Sequence, residues 1–297
     1  MKKDNFGSFH PVINFLYFLM VLGVSMFMMN PIFLAISLAG GLLYYIYLKG
    51  KTVVKTTFYF VIPVFLISAI VNPLFNHQGV TLLFYFSTGN PVTLESIIYG
   101  MAAGLMLVTV INWFSCYQVV MTSDKFIYLF GKIIPAMSLV FSMVLRFVPK
   151  FKNQIKKVSD AQKCIGRDVT NGNILQRAGH GMKILSIMTT WALENSVETA
   201  DSMKSRGYGL RGRTNFSIYR FDSRDRILLG VLAVTGAVVF WGIIAEKVSF
   251  LYYPMITMAP LTPGAVFCYV CYGILCFLPF LIDIWEEIKW HYLRSRI

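Results

Sequence analysis

Residues Ile97 to Phe114 read IIYGMAAGLMLVTVINWF, 18 positions without one charged side chain. As a helix rising about 1.5 Å per residue, such a run crosses most of the ~30 Å hydrocarbon core of a bilayer. Gly100 and Gly104 stand four apart inside it and share a helix face. That small-xxx-small spacing reads as a packing notch for a second membrane helix.

The flanking sequence repeats the pattern. Val12–Met29, Pro31–Leu48, Val53–Val71, Ile227–Ala245 and Thr262–Ile282 are each apolar over a spanning length. Gly40 and Gly41 in the second run allow close helix contact. No small-residue cleavage site follows the first run, which therefore reads as a retained helix rather than a signal peptide. With 56% hydrophobic and 14% charged residues and a mean hydropathy of +0.62, the composition over-supplies any soluble single core. The expected fold class is an all-α integral membrane protein with about six transmembrane helices.

A net charge of +13 raises nucleic acid as a partner. The distribution excludes it, because the charges lie in the connections between apolar runs. Lys49, Lys51 and Lys55 cluster, and no lysine or arginine follows between Thr56 and Asp124. The positive-inside rule then puts the Asn72–Pro91 connection outside and both termini in the cytoplasm. Asn72-Pro73 and Asn90-Pro91 read as turns bracketing a short apolar piece, Thr81–Ser87, at the interface. Residues 146–226 hold 16 Lys/Arg against 7 Asp/Glu and belong on the cytoplasmic face.

The expected organisation is N-terminal transmembrane helices over 1–123, an interfacial or re-entrant segment over 124–149, cytoplasmic helices over 150–226, and C-terminal transmembrane helices and tail over 227–297. Lys132 and Pro135 interrupt the second segment, and Pro149 is read as ending it.

Two helices are expected in the polar region. Lys150–Ile165 carries the stripe Phe151, Ile155, Val158 and Ile165. A turn-rich break at Asp168–Gly172 follows, then Met182–Arg206, about 37 Å long if continuous. Its end, TTWALENSVETADSMKSRGYG (Thr189–Gly209), bears a thin apolar stripe of Leu193, Val197, Ala200 and Met203. Glu194, Glu198 and Asp201 lie between, Lys204 and Arg206 occupy the last turn, and Gly207 stands where a left-handed C′ residue belongs. The helices are expected to cross near Ala200, where small residues permit close approach. No internal repeat is apparent.

Signatures of chemistry are absent. His10, His77, His180 and His291 lie in four separate regions, and there is no H-E-x-x-H, G-x-S-x-G or P-loop. Cys268-Tyr-Val-Cys271 sits inside an apolar run and reads as small packing residues. The spans hold almost no ionisable group, so a proton or sodium relay is unsupported. No catalytic, cofactor or metal residue is assigned. Two rival readings stay open: a self-sufficient permease with its own substrate cavity, which polar and charged lining within the spans would favour though this chain shows little, and an intramembrane enzyme or assembly scaffold. A membrane scaffold with two long cytoplasmic helices remains, which suggests a transmission device.

Several short stretches carry a family resemblance. They are Asn72-Pro73-Leu74-Phe75-Asn76-His77; Val92-Thr93-Leu94-Glu95 with Tyr99-Gly100; Leu145-Arg146-Phe147-Val148-Pro149 with Asp160-Ala161-Gln162-Lys163; and Ala192-Leu193-Glu194 through Met203-Lys204-Ser205-Arg206-Gly207-Tyr208-Gly209. In this order the chain resembles the transmembrane T component of energy-coupling factor transporters. The resemblance implies a non-enzymatic coupler in the cell membrane. Two cytoplasmic helices would each dock an Ala-Arg-Gly-like end on one of two ATP-binding-cassette ATPase subunits. A separate S component would bind a vitamin or metal ion.

The implied docking residues are Ser205, Arg206 and Gly207, with Gly166 and Arg167 for the first helix. Arg146, Pro149, Glu194, Glu198, Ala200 and Met203 would support the coupling helices. The first motif departs from the family pattern, because Cys164-Ile165-Gly166 replaces Ala-Arg-Gly. Either Gly166 ends the helix and Arg167 swings back, or that arm docks mainly by apolar contact. Arg146 equally suits anchoring at the phosphate level of the membrane.

Overall fold

The computed structural model describes the chain apart from residues 1–4, 51–52, 54, 56–58, 60, 86–90, 132–133, 171, 211–218 and 295–297. Lys51, Asn90 and Lys132, part of the third apolar run and the end of the Thr81–Ser87 piece lie outside the described residues. The described helices are α1 (Pro11–Phe27), α2 (Pro31–Lys49), α3 (Ile62–Phe75), α4 (Leu94–Val120), α5 (Ser123–Gly131), α6 (Pro135–Cys164), α7 (Ile174–Ser205), α8 (Ser223–Ile244) and α9 (Pro263–Arg294). They fall into two compact units, one of residues 1–126 with 219–297 and one of residues 127–218.

The first unit is a bundle of α1–α4, α8 and α9. Helices α2, α4, α8 and α9 are long and apolar enough to cross a membrane, and α1 and α3 are shorter apolar helices. This agrees with the all-α membrane fold expected from the apolar runs. Prolines at the starts of α1 and α2 follow side-chain caps. His10 accepts from the Val12 amide (3.4 Å) and Asn30 from the Ile32 amide (2.9 Å), and proline is at home in a first turn because its missing N–H would have been unpaired there.

Glycines set the closest approaches. A Cβ on Gly100 would sit 3.0 Å from the Ala69 carbonyl oxygen, and one on Gly104 would sit 3.1 Å from the Phe65 carbonyl oxygen. The notch in α4 is therefore filled by the backbone of α3. Gly40 meets Cys276 of α9 at 3.0 Å and Gly41 meets the Trp113 ring of α4 at 3.2 Å, on the same reckoning. Around these contacts lies an aromatic core of fully buried Tyr17, Phe18, Trp113, Tyr44 and Tyr272. Their polar atoms are paired: the Trp113 indole donates to Ser37 (2.9 Å), and Ser25 bonds both Ser37 (2.7 Å) and Tyr272 (3.1 Å).

Three buried ionisable groups hold the N-terminal segment. Asp283 of α9 accepts from the amides of Asn5 and Phe6, both at 2.9 Å. Asp225 of α8 accepts from the His10 amide at 3.2 Å, and Lys125 of α5 donates to the Gly7 carbonyl. Residues 5–10 are thus tied to three elements, through hydrogen bonds that offset part of the cost of burying these polar groups.

Two expectations are corrected. Asn72-Pro73 is not a turn, because α3 runs through it to Phe75; after it, β1 (Leu82–Tyr85) pairs antiparallel with β2 (Pro91–Thr93), and β3 (Phe250–Leu251) with β4 (Thr257–Met258) forms a second small hairpin. Pro149 does not end a segment either. Helix α6 runs through it from Pro135 to Cys164, because an interior proline forfeits one hydrogen bond while the turns on both sides keep theirs. The second arm is also longer than expected, starting at Ile174 behind an Asn173/Gln176 capping box.

Gly104→Val should therefore separate α3 from α4, at a cost of about 1–3 kcal/mol typical of overpacking. Thermal unfolding of the detergent-solubilised protein should show a lowered midpoint. Gly23→Ala, whose added Cβ meets nothing within 4 Å, should leave it unchanged.

Candidate functional site

The second unit presents two helix ends built alike. At the end of α6, Gly166 has φ +77°. Its amide donates to the Lys163 carbonyl (3.1 Å) and the Arg167 amide to the Gln162 carbonyl (3.0 Å). At the end of α7, Gly207 has φ +79°. Its amide donates to the Lys204 carbonyl (3.0 Å) and the Tyr208 amide to the Met203 carbonyl (3.0 Å). Both are Schellman caps, which satisfy carbonyls that the helix leaves unpaired and need a residue tolerant of positive φ at C′.

Matched caps give a residue correspondence. Cys164 matches Ser205, Ile165 matches Arg206, Gly166 matches Gly207, and Arg167 matches Tyr208. Upstream, Asp160 matches Asp201 and Lys163 matches Lys204. The pattern Asp-small-x-Lys-small-x-Gly thus occurs twice, a short repeat that reading the sequence without the caps did not register. Gly166 does end its helix, so Arg167 stands one residue beyond the glycine, whereas Arg206 stands one residue before its own.

The surroundings of the two ends differ in charge. Beside Arg167, Asp168 accepts from the Thr170 amide (3.0 Å) and hydroxyl (2.7 Å) and pairs with Lys163 at 3.4 Å. The backbone hydrogen bond from Thr170, then that from its hydroxyl, hold the Asp168 carboxyl below its usual range despite the opposing effect of burial, with Lys163 adding to the lowering. An ionised acid therefore offsets the cations of the first end. The corresponding position in the second end is Gly209, and Lys204 and Arg206 there are exposed. The second end carries the more positive local field.

The two arms meet well away from their ends. Phe151 packs edge-on against Trp191 with centroids 5.3 Å apart, the Lys150 ammonium lies 5.5 Å from the Trp191 ring centroid, and Lys150 donates to the Asn195 side-chain oxygen. The contact is therefore made by Trp191 and Asn195, not near Ala200, whose side chain is exposed together with Leu193 and Val197. Trp191 and Asn195 continue the helix face of Ile184 and Met188, the buried residues of α7, and at this contact the ring and the amide bind a lysine as well as a phenylalanine.

Distances along the helices follow from this register. From Phe151 to Gly166 and from about Asn195 to Gly207, the axial run is roughly 18–23 Å at 1.5 Å per residue. The contact therefore divides the unit into two arms of similar length, each ending in the same cap. Glu194 and Glu198 are exposed, Met203 is half-buried, and Arg146 and Pro149 are exposed on α6. Of these, Met203 takes part in a cap through its carbonyl, which accepts from the Tyr208 amide. Among the described residues no cluster of three or more His, Cys, Asp or Glu could hold a metal ion.

Comparison with known proteins adds the family. A model of the CbiQ family, described as cobalt transport protein, matches residues 5–216. The chain belongs to this family. It is 33% identical over 106 residues to the energy-coupling factor transporter transmembrane protein EcfT of Listeria innocua, a match covering 35% of this chain and 40% of that protein. The protein of the same name from Lactobacillus helveticus is 34% identical over 93 residues, covering 31% of this chain and 34% of the relative. That from Lacticaseibacillus paracasei is 34% identical over 102 residues, covering 34% and 39%. The matches thus span about two fifths or less of these relatives. Family membership and apolar helices together make this chain a multi-pass membrane protein of a transport family.

Trp191→Ala should loosen the junction of the arms without touching either cap. Hydrogen exchange should accelerate at amides around Phe151 and Asn195, while the Tyr208 amide, bonded within its own cap, keeps its protection. Faster exchange at Tyr208 to the same degree would show that cap and junction are one cooperative element.

Proposed function

We propose that the chain is the transmembrane coupling subunit of an energy-coupling factor importer. In this reading two ATPase subunits, closing on ATP, each grip one capped helix end, and the arms pass that displacement to the membrane bundle. A substrate-binding S component then releases a vitamin or metal ion. The module resides in the cell membrane with both termini and residues 146–226 cytoplasmic. The observation that carries the proposal is the pair of like-capped helix ends at similar distances from one junction, in a chain of this family. Two equivalent ends suit two equivalent motors.

Each residue has a stated part. Arg206 presents a fixed planar fork from a rigid helix end, suited to a carboxylate on the partner. Ser205 is small enough for close approach, and Gly207 sets the cap that aims both. Gly166 does the same for the first arm, where Ile165 offers apolar contact and Arg167 a cation beyond the turn. Arg146 and Pro149 lie on α6 before the junction. The exposed stripe of Leu193, Val197 and Ala200, flanked by Glu194 and Glu198, is the surface left for the S component, with Met203 supporting the cap.

Arg206→Glu should strongly reduce co-purification of the ATPase subunits, since a like charge facing an acidic groove costs several kcal/mol of association when desolvated. Arg167→Glu should reduce it less, because Asp168 already offsets that end and the arginine sits outside the matched position. Equal damage from the two would refute the asymmetry. Absence of any ATPase from the unsubstituted protein's complex would refute the coupling function itself.

A further inference from the structure

The first hairpin has no part in the coupling reading, yet its exposed strand is wholly apolar. Leu82, Leu83, Phe84 and Tyr85 are all exposed, at 45–64%, and Val80 before them at 63%. Beyond a bulge between Leu82 and Phe84, Phe84 pairs with Val92 and Tyr85 with Pro91 in regular register, so these two side chains point to opposite faces. Both faces of β1 are therefore apolar and bare, a pattern that water disfavours on either side.

The strand is mounted rigidly. The Glu95 carboxylate at the start of α4 accepts from the Thr81 amide (3.1 Å) and hydroxyl (2.7 Å), and the Leu94 amide donates to the Thr81 carbonyl at 3.0 Å. Thr93 donates its hydroxyl to the Gln78 carbonyl at 2.7 Å. Below the hairpin, Asn76 donates to the Tyr253 hydroxyl at 3.0 Å, fastening this end of α3 to the second hairpin. Such ties fix the height of β1 relative to the ends of α3 and α4.

That height is the bilayer interface. Helix α4 has 27 residues, about 40 Å at 1.5 Å per residue, which exceeds the ~30 Å hydrocarbon core and puts its ends among the headgroups. The strand hangs from the N-terminal end. Toward it, α3 exposes Ile70, Val71, Leu74 and Phe75, so the bare apolar surface of the spanning bundle continues into the strand. No lysine or arginine occurs from Thr56 to Asp124 to oppose immersion, and the one carboxylate at hand, Glu95, is turned inward and buried. Tyr85, with an apolar ring and a polar hydroxyl, is of the kind that gathers at membrane–water boundaries.

We propose that β1 is a lipid-surface anchor, immersed on both faces in the acyl-chain and headgroup boundary of the adjoining leaflet. It holds the α3 end of the bundle against the membrane plane. The anchor requires only that the chain span a membrane and does not rest on the coupling function. Its chemistry is that of phospholipid acyl chains, with Glu95 and Thr81 as positioning residues.

Spin-labelled lipids test it. In the full chain, Cys164→Ser leaves Cys116, Cys268, Cys271 and Cys276, all buried. Phe84→Cys and Tyr85→Cys, on opposite faces of the strand, would each carry an environment-sensitive fluorophore, with the protein in phosphatidylcholine–phosphatidylglycerol vesicles. Ile70→Cys serves as the lipid-facing reference and Gln78→Cys as the water-facing one. We expect both strand probes to lose emission to lipid bearing a spin label near its headgroup end, as at Ile70, and to resist aqueous iodide. Quenching of either by iodide, as at Gln78, would overturn the proposal. Shielding of either from both quenchers would overturn it too, by showing that a protein surface covers the strand.

Discussion

A helix that stops in water leaves its last carbonyls without partners, and at Cys164 and Ser205 the chain solves this in the same way. A glycine at φ near +80° turns the backbone so that two amides fold back on those carbonyls. The geometry does more than end a helix. It fixes the direction of the side chains on either side of the glycine, so that Ile165 and Arg206 occupy equivalent positions on two rods. The function proposed for the second unit depends on that equivalence, since two identical grips need two equivalent handles. Where the sequences differ, the handles differ in charge while keeping one backbone.

The membrane bundle rests on a related use of glycine. Removing a side chain at Gly40, Gly41, Gly100 and Gly104 lets backbones approach where lipid gives helices no hydrophobic reason to associate. Large aromatic side chains then fill the space around those contacts, with serines pairing their polar atoms. Rigidity in the bundle and rigidity in the arms suit a part that passes on motion rather than absorbing it.

Much of this was legible in the chain. Uncharged runs of spanning length announce helices because few alternatives survive in lipid, and Gly100 with Gly104 pointed correctly to a close contact. Gly207 announced its cap from its place after Lys204 and Arg206. The hairpin was hidden because Leu-Leu-Phe-Tyr does not alternate, and a strand exposed on both faces has no periodic signature. Pro149 misled because proline usually marks a boundary, yet a long helix can absorb one lost bond. The junction at Trp191 and Asn195 was missed for a different reason. Ile184, Met188 and Trp191 stand at i, i+4 and i+7, as do the exposed Leu193, Val197 and Ala200, and spacing alone does not say which of two such stripes is covered. The two glycine-ended motifs were already paired by the family resemblance, and the caps extend the match upstream to Asp160 with Asp201 and Lys163 with Lys204.

The tie between residues 5–10 and Asp225 and Asp283 has a bearing on how the molecule is made. Those carboxylates are synthesised more than 200 residues after the amides they receive. While the nascent chain is threaded into the membrane, its beginning has no fixed seat. Lys125 of α5 supplies a tie at Gly7 first, Asp225 of α8 one at His10 next, and Asp283 of α9 those at Asn5 and Phe6 last. The bundle therefore closes on this segment in steps, and a protein truncated before Asp283 would keep the ties at Gly7 and His10 while losing those at Asn5 and Phe6.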